Sequence, residues 1–547
     1  MNLKMRTSRL AVVAGLSLAV ALGGTVATEP AAAFAEGGSF TMTVNKATDG
    51  TYNLYQIFTA DVVAGSGVGA QPSLGNAKLN QALKPYVIAA YNEATGSKLA
   101  NDASDATVIG SIHVLADAKA QTFANKLAKK LLAADDSLIA ATATASDGTV
   151  SFGAQPSGYY LIAQKGTGTE GADGVTSGIL VPLTANKTLE AKVKTPTVDK
   201  KVKDDTGNGW DKDFSDIADA GLLDGKIDKL TYKITGTVAS DIADYDTYYY
   251  KVVDVLPKGL DVTKDELDSK WGVSIKVDGK DASGKDVTSD VTSSFTSAVT
   301  GANAGTDDVT DTVTWETEDL KQVLTGAGIV DLASATVTVE YTPVYDANDI
   351  NRMYANAGSL SAPDVNTASI EFSNSPYTNG HGHTPKHENK VYDYNLKIFK
   401  KDEAGNALKG ATFTLTDADG KTVGKNVTAN DDGTFEFHGL EAEVEYTITE
   451  SKAPSGFKTI KPIKFKITAT NDGQTVTSIT VAETSDPSSA ADLKTDGATV
   501  NANVVNISDR EYPNTGAAGI YGGIAVGGII IAVSAAALVR RHRGSEN

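Results

Sequence analysis

The chain has no cysteine, so its reactive side chains are amines, carboxyls and carboxamides. Leu396-Lys397-Ile398 sets an amine between two branched apolar residues in a segment that reads as a strand. Alternation puts Lys397 on one face with Phe399, and Leu396 with Ile398 on the other. A lysine facing apolar neighbours gives up its proton more readily, because burial disfavours the ammonium. A neutral amine can attack a carboxamide carbon when a carboxylic acid polarises the oxygen and shuttles protons to the departing ammonia. Burial also keeps such an acid protonated. In Val198-Asp199-Lys200-Lys201-Val202 the same alternation places Lys200 with Val198 and Val202, and leaves Lys201 as its rival on the opposite face.

Other chemistries find little support. His381, His383 and His387 are closely spaced, but no cysteine accompanies them and a structural zinc site takes four ligands. The Asp-rich turns lack the alternating ligands and closing Glu of a calcium loop, and Asx-turn chemistry accounts for them. No Walker, Rossmann or Gly-x-Ser-x-Gly motif stands in a suitable context, so neither a metal nor a cofactor is expected. The net charge of −19 disfavours nucleic acid and anionic membrane surfaces as partners.

Both ends of the 547-residue chain read as targeting segments. Residues 1–35 combine Lys4, Arg6 and Arg9 with an apolar run and a closing Ala33-Phe34-Ala35, the pattern of a secretory signal peptide. Ala517 to Val539 is uncharged, mostly apolar and long enough to span a bilayer as a helix, which needs roughly 20 residues. Arg540, Arg541 and Arg543 follow it and mark a cytoplasmic end.

Between the ends, about 475 residues are enough for three or four domains. Residues 36–194 mix strands with two helical stretches, near Asn76–Ala94 and Asp105–Ala134. Residues 195–375 carry strands near Lys229–Val238, Tyr248–Val255, Val309–Trp315 and Ala335–Tyr341, closing on Thr367–Asn374. A polar linker is expected over 376–389. Residues 390–510 show short strands between Gly and Asp turns, the pattern of a β-sandwich. The expected fold is mainly β: three tandem Ig-like sandwiches, the first with inserted helices, ahead of a C-terminal transmembrane helix over part of 512–547.

Several motifs resemble those of sortase-assembled Gram-positive backbone pilins. Tyr512-Pro513-Asn514-Thr515-Gly516, ahead of an apolar span and a basic tail, is similar to an LPXTG sorting signal with Tyr for Leu. The resemblance implies cleavage between Thr515 and Gly516 by a pilus-class sortase, final anchoring to peptidoglycan by a housekeeping sortase, and a secreted, wall-anchored surface fimbria. Leu396–Asp402, Gly410–Leu415 and Tyr446–Phe457 resemble a CnaB-type domain with its E-box. The family's spontaneous isopeptide bond then implies Lys397 as nucleophile, Glu450 as acid and Asn506 as acceptor. Residues 195–375 look like a CnaA-type middle domain, which implies a second set in Lys200, Asp254 and Asn374. The familiar pilin motif is missing. In its place Leu189, Ala191 and Val193 alternate with Lys192 and Lys194, leaving both lysines exposed. By its offset from Thr197–Lys200 in the family, Lys192 is implied as the intersubunit lysine, with Lys194 as its alternative.

The function this implies is that of a structural shaft subunit, polymerised with identical copies and serving surface adhesion. The alternative is a wall-anchored or pilus-tip adhesin for a host glycan or matrix protein, which would lack a donor lysine. An anchored surface enzyme would show a clustered acid–base or metal constellation. None is evident, and a single-turnover reaction on the chain itself does not make an enzyme.

Overall fold

The computed structural model describes residues 34–35, 38–65, 70–165, 177–191, 194–203, 217–219, 222–223, 226–227, 229–258, 260–301, 310–345, 359–377, 380–485 and 491–509. Most of the secretory leader, Lys192, residues 512–516 and the apolar run lie outside them. Among the described residues, no helix is long and apolar enough to cross a membrane.

In the N-terminal part, the 13-residue strand Thr51–Val63 is the axis of the main sheet. It pairs with Gly158–Lys165 on one side, and with Ala141–Thr144 and Ser73–Leu79 on the other. Its residues are apolar on both faces because both faces are covered. Tyr52 and Leu54 pack with Met42, Val44, Val150 and Phe152 from a three-stranded sheet. Tyr55 and Ile57 pack with Leu83, just ahead of the first helix, and with Val87, Phe123, Leu127 and Leu131 from the helices.

The first helical stretch is shorter than the sequence suggests. Residues 73–79 form a strand against Thr51–Val63, and the helix runs only over Lys84–Thr95, with Pro85 in its first turn where a missing N–H costs nothing. Leu79 is buried, but by sheet pairing opposite Phe58, so its four-residue spacing to Leu83 is not helical. The second stretch splits into Asp105–His113, capped by the Ser104 side chain, and Asp117–Leu132.

In the middle part, two sheets face each other. One runs Val198–Lys203, Thr231–Thr237, Thr336–Tyr341, Ser274–Lys280, Asp286–Asp290. The other has Asp364–Ser373 and Tyr250–Val255 at its centre, joined by antiparallel pairing. The expected linker is largely absorbed into this second sheet. His381–His383 and His387–Tyr392 both pair with Asp364–Ser373, because Asn389, Val391 and Tyr392 are buried and their backbone groups complete the ladder. The three histidines are spread by this pairing: His381 Nδ1 meets Glu371 at 2.8 Å and His387 Nδ1 meets Asp199 at 3.2 Å.

Residues 394–485 and 491–509 form a sandwich of four- and five-stranded sheets. Its first strand, Tyr394–Asp402, lies parallel to its last, Thr499–Asn506, with Lys400 opposite Val504 and Asp402 opposite Asn506. The first and middle parts are tied at Asp244, which accepts hydrogen bonds from Thr122 and Asn125 at 3.1 and 3.0 Å. Asp246 adds ion pairs with Lys126 and Lys129.

Candidate cross-linking sites

Alternation places the polar residues of the C-terminal site. Leu396, Ile398 and Lys400 face inward on the first strand. Tyr446, Ile448 and Glu450 do so on Glu445–Lys452, and Val500, Ala502, Val504 and Asn506 on the last strand. Each polar residue ends an apolar inward series, so the three side chains share one end of the core. Asn506 Nδ2 donates to both oxygens of Glu450, at 2.9 and 3.1 Å, while its Oδ1 is buried and has no hydrogen-bond partner among the described residues. The Ile460 N–H also donates to Glu450, at 3.0 Å. Lys400 Nζ donates to the Val504 and Lys401 carbonyls, each at 3.2 Å. Desolvation pulls the Lys400 ammonium down to about 8, with the charge of Glu450 opposing the shift.

Lys397, implied as the nucleophile by the resemblance, is not brought to this group. It points outward, donating to Glu436 at 2.7 Å, and that hydrogen bond is the chief reason its ammonium is held above the usual range. Glu450 and Asn506 do come together; the lysine beside them is Lys400. The signal was present in the sequence, since Lys400 is the next residue on the Leu396–Ile398 face.

The middle site is built similarly. Lys200 and Val202 face inward on the first strand, and Tyr250, Val252 and Asp254 on the facing sheet. Lys200 Nζ donates to Asp254 Oδ1 at 2.5 Å and to Tyr341 Oη at 3.3 Å. Both residues are fully buried, and desolvation brings the Lys200 ammonium down to about 8 against the pull of Asp254. Lys201 lies on the outer face beside Asp199.

Asn374 is not brought to Lys200 and Asp254. Asp254 pairs with Ala368, so Asn374 lies six residues on, about 20 Å along the strand at the usual rise. Asn366, two residues from Ala368 in the other direction, takes its place. It is fully buried, its Nδ2 donates to Tyr341 Oη at 2.8 Å, and its Oδ1 has no hydrogen-bond partner among the described residues. Asn366 continues the inward series of Ala368, Ile370 and Phe372 backwards, which the sequence also displayed. Asn389 pairs across from Asn366, and its Nδ2 ties the strand of Lys200 in place by donating to the Lys200 carbonyl at 2.8 Å.

Each group can perform the same reaction. The lysine amine adds to the Asn carboxamide carbon, the tetrahedral adduct expels ammonia, and the carboxyl group moves one proton from amine to leaving nitrogen. At the C-terminal site that nitrogen already lies on Glu450. The flipped amide would set its oxygen there instead, where a protonated carboxyl could polarise it. Of the two candidate intersubunit lysines, Lys194 is described and exposed; burial raises the Asp241 carboxyl to about 6, with the charge of Lys194 among the influences opposing that rise.

Residues 394–483 match the family described as SpaA, prealbumin-like fold domain. Several backbone or major pilins are among the solved structures similar to the chain. The T6 backbone pilin of serotype M6 Streptococcus pyogenes, with a modular three-domain structure, is 16% identical over 87% of this chain and 100% of its own, at a TM-score of 0.47. The major pilin SpaD of Corynebacterium diphtheriae is 17% identical over 86% of this chain and 98% of its own, at 0.40. The major pilin SpaA of the same organism, whose structure points to a modular pilus assembly stabilizing isopeptide bonds, is 14% identical over 86% and 100%, at 0.40. No curated protein sequence matches the chain.

Proposed function

We propose that the chain is the shaft subunit of a covalent surface pilus, stiffened by Lys400–Asn506 and Lys200–Asn366 isopeptide bonds. The observation that carries this reading is the pair of buried lysine–carboxyl–carboxamide groups in tandem β-sandwiches. Each joins the opening strand of its sandwich to a strand near the close. Tension along the chain would then pass through a covalent bond, and residues 401–505 and 201–365 would be spared the load. In a cysteine-free exported protein, these links supply the covalent stiffening that disulfides give elsewhere.

Polymerisation completes the reading. A sortase forms an acyl-enzyme at Thr515 and transfers it to Lys192 of the next subunit, with Lys194 as the alternative; the last subunit is attached to peptidoglycan. Co-expression of the full chain with a pilus-class sortase is expected to give a ladder that resists boiling in detergent. Digestion should yield one branched peptide joining Thr515 to Lys192. A single-subunit band alone would refute the shaft assignment, and a branch on another lysine would refute Lys192.

A further inference from the structure

The two sites differ in how the carboxyl group meets the carboxamide. Glu450 bonds Asn506 directly. Asp254 is one methylene shorter, and the hydroxyl of Tyr341 stands between it and Asn366. Tyr341 Oη donates to Asp254 Oδ2, accepts from Asn366 Nδ2 at 2.8 Å and accepts from Lys200 Nζ at 3.3 Å. One phenol oxygen therefore touches the attacking nitrogen, the departing nitrogen and the acid.

We propose that Tyr341 is a catalytic residue of the middle-domain cross-link, carrying the proton from Asp254 to the Asn366 nitrogen that leaves. The inference rests on the proposed Lys200–Asn366 bond. The reactive form is the neutral amine beside Asp254 protonated on Oδ2, with the Tyr341 O–H turned from Oδ2 toward Nδ2; from it Nζ adds to Asn366 Cγ and gives a proton to Asp254 Oδ1. Asp254 Oδ2 passes a proton to Tyr341 Oη, which releases its own to Nδ2. The Cγ–Nδ2 bond then breaks and ammonia departs. One bond forms and one breaks, the net transfer is a single proton from Nζ to Nδ2, Asp254 again holds one proton, now on Oδ1, and Tyr341 is again a neutral phenol.

The ring is well placed for this. It stacks on Tyr232 and Trp271, with centroids 5.3 and 5.5 Å away, and tilts against Trp315 at 5.7 Å. This packing fixes the hydroxyl without a flexible stem. Burial holds the phenol far above its ordinary range, so it stays a neutral O–H that can accept and donate at once. At the C-terminal site no bridging hydroxyl is needed, since the longer Glu450 reaches the amide itself.

Tyr341→Phe keeps the stacked ring and removes only the bridge. The full chain, sampled over time after cell-free synthesis, is digested and the two linked peptide pairs are quantified by mass spectrometry. The Lys400–Asn506 pair serves as the internal control. The variant is expected to slow the Lys200–Asn366 link by about 100-fold or more, the usual scale for a lost acid–base group, and to leave the control unchanged. Adding Asp254→Glu to Tyr341→Phe should restore linking, because the longer acid reaches the amide directly. Linking of Tyr341→Phe at the wild-type rate would overturn the proposal, as would a double variant that stays as slow as the single one. A wild-type chain that forms the control link but never the Lys200–Asn366 link would instead refute the reading on which the proposal rests, and the proposal with it.

Discussion

Replacing Lys400 by Met keeps most of the volume of the side chain in its buried slot and removes the amine. The packing term is then small, as for other volume-conserving swaps, and the change in stability is set by the cross-link. The bond from Lys400 to Asn506 closes a loop of about 100 residues, for which chain-entropy arguments give about 4.7 kcal/mol. For a domain of this size such a loss corresponds to a fall in Tm on the order of 20 °C. Differential scanning calorimetry of the full chain should show the transition of the C-terminal sandwich move by this amount while the others hold. Intact mass should rise by one retained ammonia after correction for the substitution. Lys397→Met is the matched control: Lys397 sits outward on Glu436, and its loss should change neither the cross-link nor the transition by more than about 1 kcal/mol, the usual ceiling for an exposed ion pair. If Lys397→Met abolished the link and Lys400→Met kept it, the assignment from burial and strand register would be wrong.

Two further outcomes follow from the same geometry. Asn366→Ala should eliminate the Lys200 cross-link and Asn374→Ala should leave it intact, as read by peptide mapping; the reverse result would place the acceptor at the end of the strand. The pH dependence has a definite sign. Each reactive lysine–carboxyl pair needs one proton between them, so that a neutral amine and a protonated acid can coexist. Because Lys200 and Lys400 are brought down to about 8, that proton is lost above about pH 8, and bond formation should slow about tenfold per pH unit beyond it. A rate that climbs steadily to pH 10 would contradict this.

Much of the site was legible in the residues, because strand alternation is a local rule. Glu450 and Asn506 end apolar inward series, and Lys200 shares a face with Val202, so these positions follow from period two alone. The same rule, carried two residues past Ile398, reaches Lys400, whereas the apolar sequence neighbours of Lys397 lie on the opposite face from it. Pairing register was a different matter. Asn366 and Asn374 both lie on or beside one strand with the same parity, and only the pairing of Asp254 with Ala368 decides which is near. Tyr341 and Asn389 come from strands distant in sequence, and nothing in their local context shows that they converge on Lys200.

The linker and the helices divide along the same line. Sequence periodicity found the helices of the first part, but only the sheet, by pairing Leu79 with Phe58, settled that the helix begins at Lys84. Polar composition suggested a free linker before residue 390, whereas the open edge of Asp364–Ser373 recruits His387–Tyr392 as a strand. By itself the sequence determined which faces are apolar, where the strands and helices recur, and that disulfides are excluded while amines and amides are at hand. The tertiary structure decided which amine meets which amide. That choice depends on hydrogen-bond register between strands far apart in the chain, and a shift of one residue would turn every one of these side chains to the opposite face.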